Sequence, residues 1–193
     1  MIILAVIYQK RKKLVIILLI VIFLALFFNS ENIGRYLYPY HHQHVIEKYA
    51  AQNSVDPLLL AAIIKQESNF SPEAKSPKGA RGLMQIMPTT GDWIAQQLGM
   101  ESFHPDQLYE VEPSIRMGAW YVSHLLEQFN GDLQAALAAY NGGQGNVKKW
   151  LAERDWEENQ LQTSEIPFPE TRNFVARVMK NYKIYSYLYL EKP

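Results

Sequence analysis

Residues 56–70, DPLLLAAIIKQESNF, decide the fold of this chain. Asp56 is a typical helix N-cap, and Pro57 follows at the first helical position, where the missing N–H of a proline costs nothing. Residues 58–64 are almost all apolar, which is typical of a helix that is buried on every side. The sequence therefore predicts a helix at the centre of the core, with Glu67 near its end.

The position of Glu67 leaves two interpretations open. If its carboxyl group is partly desolvated, the charged form is disfavoured, its pKa rises, and it can act as a general acid near neutral pH. If the helix end lies at the surface, Glu67 is an ordinary solvated side chain. This helix alone does not decide between the two.

Composition and charge exclude several classes of protein. The chain has 193 residues, of which 48% are hydrophobic and 20% charged, as expected of one globular domain with a real core. Its 19 basic and 19 acidic residues give no basic excess, so we expect no nucleic-acid partner. The absence of cysteine excludes disulfide scaffolds, thiolate metal sites and cysteine nucleophiles.

The amino-terminal segment carries the signals of a membrane anchor. Basic residues at positions 10–13 precede an unbroken run of 15 apolar residues at positions 14–28. Basic residues before such a run keep the N-terminus cytoplasmic, so the rest of the chain would cross the membrane. We therefore expect residues 1–30 to be a basic tail with a signal-anchor transmembrane helix. A cleaved signal peptide, which would make the domain secreted, is the alternative.

The remaining sequence predicts a linker followed by a mainly helical domain. Residues 31–48 have the composition of a juxtamembrane linker, and the histidines at positions 41, 42 and 44 match no common metal-ligand spacing. Residues 49–193 contain several helical patterns, with starts predicted at Pro88, at Pro113 and after an N-cap at Asp132, and the last pattern covers residues 170–189. Residues 83–87 (LMQIM) are predicted to be extended, in a small hairpin. The fold class is thus mainly α with one small extended element.

Four short segments follow one another along this domain. They are ESNFSP at 67–72, GARGLMQIMP at 79–88, AAYNGG at 138–143 and PETRNFV at 169–175. Each is weak alone, but in this order and spacing the set resembles the catalytic domain of lytic transglycosylases of the soluble-enzyme type. That family belongs to glycoside hydrolase family 23 and has a lysozyme-like fold, and the resemblance runs from about residue 49 to 189.

The resemblance implies roles for individual residues. Glu67 matches the family's single catalytic acid/base. The residues that match its substrate-contacting positions are Ser68, Met84, Gln85, Tyr140, Asn141 and Tyr182. Of these, Tyr140 matches a tyrosine whose hydroxyl contacts the catalytic carboxyl, and Tyr182 is one of two register choices on the last helix, with Asn181 as the other. Glu170 and Arg172 match a segment that we interpret as mainly structural.

The implied reaction suits a site with one carboxyl group. Ordinary glycosidases use two carboxylates, and no second acid stands in the motifs interpreted as catalytic. The resemblance implies that the 6-hydroxyl of N-acetylmuramic acid attacks its own anomeric carbon and leaves a 1,6-anhydro end on peptidoglycan. No cofactor or metal is implied.

Two other functions remain open at this point. A hydrolytic muramidase on the same fold would use water and a second acid, for which Glu73 and Asp92 are the candidates. A membrane-anchored subunit that binds the cell wall without cutting it is the other alternative. Zinc-dependent chemistry is disfavoured because the five histidines form no HExxH-like motif.

Overall fold

The computed structural model describes residues 2–153 and 161–190, and the chain divides into two compact units, Met1–Pro39 and Tyr40–Pro193. Some residues of the predicted tail and catalytic domain lie outside the described residues, namely Met1, 154–160 and 191–193. The helices are, in chain order, α1 (Ile2–Phe28), α2 (Ser30–Leu37), α3 (Gln43–Gln52), α4 (Pro57–Glu67), α5 (Pro88–Gln97), α6 (Val111–Gln128), α7 (Leu133–Gly142), α8 (Gln144–Ala152) and α9 (Pro169–Tyr189). Two short 3₁₀ helices, Pro105–Tyr109 and Thr163–Glu165, lie between them.

In the first unit, α1 and α2 follow each other at a sharp bend. Within the described part of the chain, no single helix is both long and apolar enough to cross a membrane. Leu14–Phe28 and Ser30–Leu37 meet that requirement only as a pair, by length and composition, and they are bent by 61°. The predicted single transmembrane helix is therefore not confirmed. All of helix α2 except Ser30 falls inside the range 31–48 that the sequence assigns to a linker.

In the second unit, α4 is the central helix, as predicted. All seven residues from Leu58 to Ile64 are buried, none more than 5% exposed. The Asp56 side chain caps the helix by accepting a hydrogen bond from the Leu58 N–H at 2.8 Å. The most extensive packing between two of the described helices joins α4 and α9. Burial of this apolar helix is the main contribution to the core.

The helices that surround α4 mostly begin where the sequence predicts. Asp132 caps α7 by accepting hydrogen bonds from the N–H groups of Gln134 and Ala135, at 2.9 and 3.0 Å. Helix α6 begins two residues before Pro113, and α3 is a helix that the sequence analysis did not predict.

The predicted extended segment at residues 83–87 is wrong. Residues 82–85 form a turn, and Gln85 has a φ of +46°. The extended pairing is limited to isolated bridges of Arg81 with Lys75 and with Ile86, and the described residues contain no longer strand. The segment is rich in apolar residues because this turn is buried against α6, not because it pairs in a sheet. Leu83 and Met84 are both inaccessible to solvent, and Met84 packs on Gly118 of α6.

Gly82 allows this turn to pack so closely. Its φ is +74°, and a Cβ atom at this position would lie 1.7 Å from the Leu108 carbonyl oxygen. Gly79, in the same loop, also has a positive φ (+95°), but a Cβ there would meet no atom within 4 Å. A side chain at Gly79 would therefore meet backbone strain alone, whereas one at Gly82 would meet backbone strain and a steric clash.

We predict that Gly82→Ala lowers the free energy of unfolding by at least about 3 kcal/mol, because strain and a backbone clash add together. Gly79→Ala should cost only about 1 kcal/mol, since it meets strain alone. Chemical denaturation of the two variants measures both values. Equal losses would show that the contact with Leu108 does not constrain the loop.

Candidate active site

The candidate site lies at the carboxyl end of α4, where the core gives way to a cavity. Glu67 is the last residue of α4, and its side chain is partly buried. Its carboxyl group accepts no hydrogen bond from another residue in the described part of the chain. Burial alone raises its pKa to about 8. Of the two interpretations of Glu67, the structure favours the desolvated acid, which holds its proton at neutral pH.

The cavity beside Glu67 has a volume of about 420 Å³. The loop after α4, the end of α7 and the start of α9 form its walls. The residues that line it are Glu67, Ser76, Pro77, Lys78, Ala80, Gln85, Met87, Tyr140, Asn141 and Glu170. A second cavity of about 310 Å³ shares Gln85, Met87, Tyr140 and Asn141 with the first. Because they share these four residues, the two cavities adjoin each other, and together they are called the groove.

Tyr140 stands between the two cavities near the end of α7. Its hydroxyl donates a hydrogen bond to the Met84 carbonyl oxygen at 2.7 Å, and its ring stacks on Phe174 with centroids 6.3 Å apart. Burial, and then the negative charge of Glu67, raise the pKa of this phenol well above its ordinary value. The implied contact between this hydroxyl and the Glu67 carboxyl is not among the hydrogen bonds of the structure. Tyr140 instead fixes the turn that carries Gln85.

Gln85 and Asn141 lie where the resemblance implies, at the cavity. The Gln85 amide group donates to the carbonyl oxygens of Ala74 and Gly82, both at 2.9 Å, which locks the side chain in place. Its amide oxygen accepts nothing from the described residues and is free for a donor on a ligand. Asn141 is exposed and lines both cavities.

Ser68 and Met84 do not line either cavity. The Ser68 hydroxyl donates to the Leu83 carbonyl oxygen at 2.8 Å and so ties the end of α4 to the turn. The Met84 side chain is 0% exposed and packs on Gly118 of α6, where a Cβ atom would lie 2.0 Å from its sulfur. Both residues shape the wall of the site from behind, instead of presenting a side chain to it.

Tyr182 lies at the opposite end of α4. Its hydroxyl donates to the Asp56 carboxylate, and burial and then this hydrogen bond raise its pKa to about 12. Asp56 and Glu67 are separated by eleven residues of helix, or about 16 Å. The prediction that Tyr182 lines the groove does not agree with this position. Because α9 runs antiparallel to α4, its first turn, and not its middle, reaches the cavity.

Two charged residues of the cavity were not assigned to the site from the sequence. Lys78 was not singled out, and Glu170 was interpreted as mainly structural; the two form an ion pair of 3.2 Å at the cavity wall. The only local signal was the position of Glu170 in the first turn of α9. Arg172 does have a structural contact, from its Nε to the Ile166 carbonyl oxygen at 2.9 Å. Neither Glu73 nor Asp92 lines the cavity.

The described residues lack a cluster of metal-ligating side chains. They contain no group of three or more His, Asp or Glu side chains that could hold a metal ion.

The family of this chain follows from comparison with known proteins. The profile of the Transglycosylase SLT domain matches residues 44–163, which is more than half of the chain. The chain therefore belongs to the transglycosylase SLT domain family.

Individual relatives agree with this family and with the fold. The chain is 33% identical over 158 residues to the soluble lytic murein transglycosylase of Escherichia coli, a match that covers 81% of this chain and 24% of the relative. It is 32% identical over 152 residues to membrane-bound lytic murein transglycosylase F 1 of Alkalilimnicola ehrlichii, covering 73% of this chain and 29% of the relative.

A solved structure of an inactive glutamate-to-glutamine mutant of lytic transglycosylase Slt from Pseudomonas aeruginosa superimposes with a TM-score of 0.72. The two are 35% identical, and the match covers 78% of this chain and 24% of that one. The mainly helical, lysozyme-like fold is thus confirmed, while the chain spans only about a quarter of the length of the first relatives it matches.

The raised pKa of Glu67 predicts a pH-dependent cost to stability. Between its ordinary pKa of 4.5 and about 8, the folded state binds more protons at this site than the unfolded state, so the free energy of unfolding falls as pH rises. Glu67→Gln removes this loss. We expect the variant to be more stable than the wild type by roughly 1–3 kcal/mol at pH 9. The full shift in pKa from 4.5 to about 8 would correspond to about 5 kcal/mol, and the expected gain is smaller because solvent reaches the groove.

Thermal unfolding of both proteins at pH 5 and pH 9 measures this difference. Glu73→Gln is the matched control, because Glu73 is exposed and lies in the neighbouring loop. A constant difference between Glu67→Gln and the wild type at the two pH values would contradict the desolvation of Glu67.

Proposed function

We propose that this chain is a peptidoglycan lytic transglycosylase that cleaves the β-1,4 bond between N-acetylmuramic acid and N-acetylglucosamine. The observation that carries the proposal is the Glu67 carboxyl group, which is desolvated at one end of a buried helix and lines the groove. A carboxylic acid that keeps its proton near neutral pH is suited to protonate a glycosidic oxygen. The names of its relatives support peptidoglycan as the substrate class.

The proposed reaction needs only one carboxyl group. Glu67 donates its proton to the glycosidic oxygen as the bond from that oxygen to the anomeric carbon of N-acetylmuramic acid breaks. The 6-hydroxyl oxygen of the same sugar then bonds to that carbon, and its proton passes to the Glu67 carboxylate. The product is a 1,6-anhydro end, no water is consumed, and Glu67 is protonated again. The attack is intramolecular, which lowers its entropic cost.

The other residues of the groove have supporting roles in this proposal. The free Gln85 amide oxygen and the exposed Asn141 side chain are suited to hydrogen-bond N-acetyl and hydroxyl groups of the sugars. Tyr140, Ser68 and Met84 act as positioning residues, because their contacts hold the turn 82–85 against the ends of α4 and α7. No cofactor takes part.

A hydrolytic muramidase is the second candidate, and Glu170 is the observation that favours it. This carboxylate lines the same cavity as Glu67 and is paired with Lys78, so it is an anion that could activate water. Glu73 and Asp92, the candidates from sequence, lack this position. In the transglycosylase mechanism Glu170 has no chemical step.

We predict that Glu67→Gln abolishes cleavage of purified glycan strands, with a loss of at least about 10³-fold, because the variant has no proton to transfer. Mass spectrometry of wild-type products should find 1,6-anhydromuramic ends. Glu73→Gln, the exposed control, should cleave at the wild-type rate.

Three outcomes separate the candidate functions. Reducing ends in the wild-type digest, together with a loss of kcat in Glu170→Gln, would establish the muramidase instead. Binding of strands without cleavage by the wild type would support the wall-binding subunit. Unchanged cleavage by Glu67→Gln would overturn the role of Glu67 in any of them.

The proposal includes a membrane-anchored location with the catalytic domain on the extracytoplasmic side. Residues 1–30 would be the cytoplasmic tail and signal-anchor, residues 31–48 the linker and residues 49–193 the catalytic domain. The exposed apolar side chains of residues 14–28 and the basic cluster before them support this arrangement.

Protease treatment of intact cells tests this location. We expect the catalytic domain to be degraded once the wall and any outer membrane are permeabilised, and the mass of the protein before treatment to include residues 1–30. A mature protein that begins after residue 28 would show that the segment is a cleaved signal peptide.

A further inference from the structure

The charges of the cavity are few and are concentrated at one wall. Among the described residues that line it, those with a carboxyl or amino side chain are Glu67, Lys78 and Glu170. Because Glu67 holds its proton at neutral pH, Lys78 and Glu170 provide the one positive and one negative charge of this lining. Lys78 is therefore the group of the cavity that can attract an anion.

The ion pair that holds Lys78 is weak. The Lys78 Nζ lies 3.4 and 3.2 Å from the two Glu170 carboxylate oxygens, and the two side chains are 76% and 73% exposed. Exposed pairs of this kind are worth at most about 1 kcal/mol. Another carboxylate can therefore replace Glu170 at Lys78 with little loss.

The backbone of Lys78 is better held than its side chain. Residues 76–79 form a tight turn in which the Gly79 N–H donates to the Ser76 carbonyl oxygen at 2.9 Å. The Ser76 hydroxyl accepts from the Ala80 N–H at 3.0 Å, and the Ser76 N–H donates to the Ala80 carbonyl oxygen at the same distance. Pro77 restricts the turn further. The turn thus presents a long cationic side chain from a fixed point on the cavity wall.

We propose that Lys78 recognises a carboxylate of the bound peptidoglycan, exchanging Glu170 for the substrate when a strand enters the groove. This inference rests on the proposed function. A glycan strand offers such a group in two places: on its peptide stems, and on the lactyl group of N-acetylmuramic acid where a stem is missing. The neutral sugar rings offer none, so Lys78 determines which strands bind well.

The first experiment compares three substrates: native strands with stems, the same strands with their carboxylates amidated, and strands whose stems an amidase has removed, which leaves lactyl carboxylates. On native strands Lys78→Met should raise KM about fivefold, which corresponds to roughly 1 kcal/mol, with kcat little changed. On amidated strands Lys78→Met and the wild type should have the same KM. An effect on native strands comes from a stem carboxylate, because the lactyl groups of these strands are amide-linked. On stripped strands, a retained effect shows that Lys78 also accepts the lactyl carboxylate, and a lost effect restricts it to the stem.

Two variants control for structural effects. Lys78→Arg keeps the positive charge and should retain most of the wild-type KM on native strands. Lys75→Met removes an exposed lysine of the same loop that does not line the cavity and should leave KM unchanged. An increase in KM for Lys78→Met that is equal on native and amidated strands would overturn the proposal.

Removing Glu170 gives the reciprocal test. Glu170→Gln frees Lys78 from its partner, so it should lower KM on native strands about two- to fivefold. The same substitution in a Lys78→Met background should have no such effect. A gain that persists without Lys78 would show that the pair does not compete with the substrate.

Binding by the full chain with Glu67→Gln separates this inference from the proposed function. Titration calorimetry in detergent, with native and amidated muropeptides, reports Kd without cleavage. If the wild type cleaves no strand, the proposed function fails, whereas a Lys78-dependent difference in Kd between the two muropeptides still supports the recognition of a carboxylate. If adding Lys78→Met to the Glu67→Gln chain changes the Kd of neither muropeptide, the inference is wrong, even when the wild type cleaves strands.

Discussion

The complete burial of α4 is the constraint on which the site depends. Residues 58–64 contact other parts of the core on every side, so the helix has little freedom to shift or rotate. Its last residue is consequently delivered to a fixed point, where the carboxyl group is neither fully solvated nor paired. The Ser68 hydroxyl then fastens the turn 82–85 to the same helix end, and the Tyr140 hydroxyl fastens it to α7. The groove is thus formed at the end of a helix whose position is fixed by its packing in the core.

Local signals account for the parts of the fold that the sequence predicts well. The side chains of Asp56 and Asp132 cap helices by accepting hydrogen bonds from N–H groups two or three residues further along the chain. A short stretch of sequence is therefore enough to predict where these helices begin. The turn at residues 82–85 depends instead on a distant contact, because Gly82 must pass within reach of the Leu108 carbonyl. The apolar residues of this segment correctly indicate that it is buried, but they do not indicate its backbone conformation. Helix α3 was missed because its N-cap, His42, has a left-handed φ of +57° and carries no capping signal.

The same distinction applies to the candidate site. The resemblance to the family implies which residues approach the groove, and Glu67, Gln85, Tyr140 and Asn141 do line it. It does not predict the direction of each side chain. Ser68 and Met84, which were expected to contact the substrate, instead support the wall of the groove from the protein interior. Tyr182 and the Lys78–Glu170 pair both depend on the direction in which α9 crosses α4, and no local pattern encodes this.

The antiparallel arrangement of α4 and α9 also brings helix poles of opposite sign to one place. Peptide dipoles give the carboxyl terminus of α4 a partial negative charge and the amino terminus of α9 a partial positive one, each worth about 0.3–1 kcal/mol to a nearby charge. Glu67 stands at the first pole and Glu170 at the second. The backbone field at the end of α4 therefore favours a proton on Glu67, in the same direction as burial. Two identical side chains facing one cavity are in this way placed at helix poles of opposite sign by the direction of the helices that carry them.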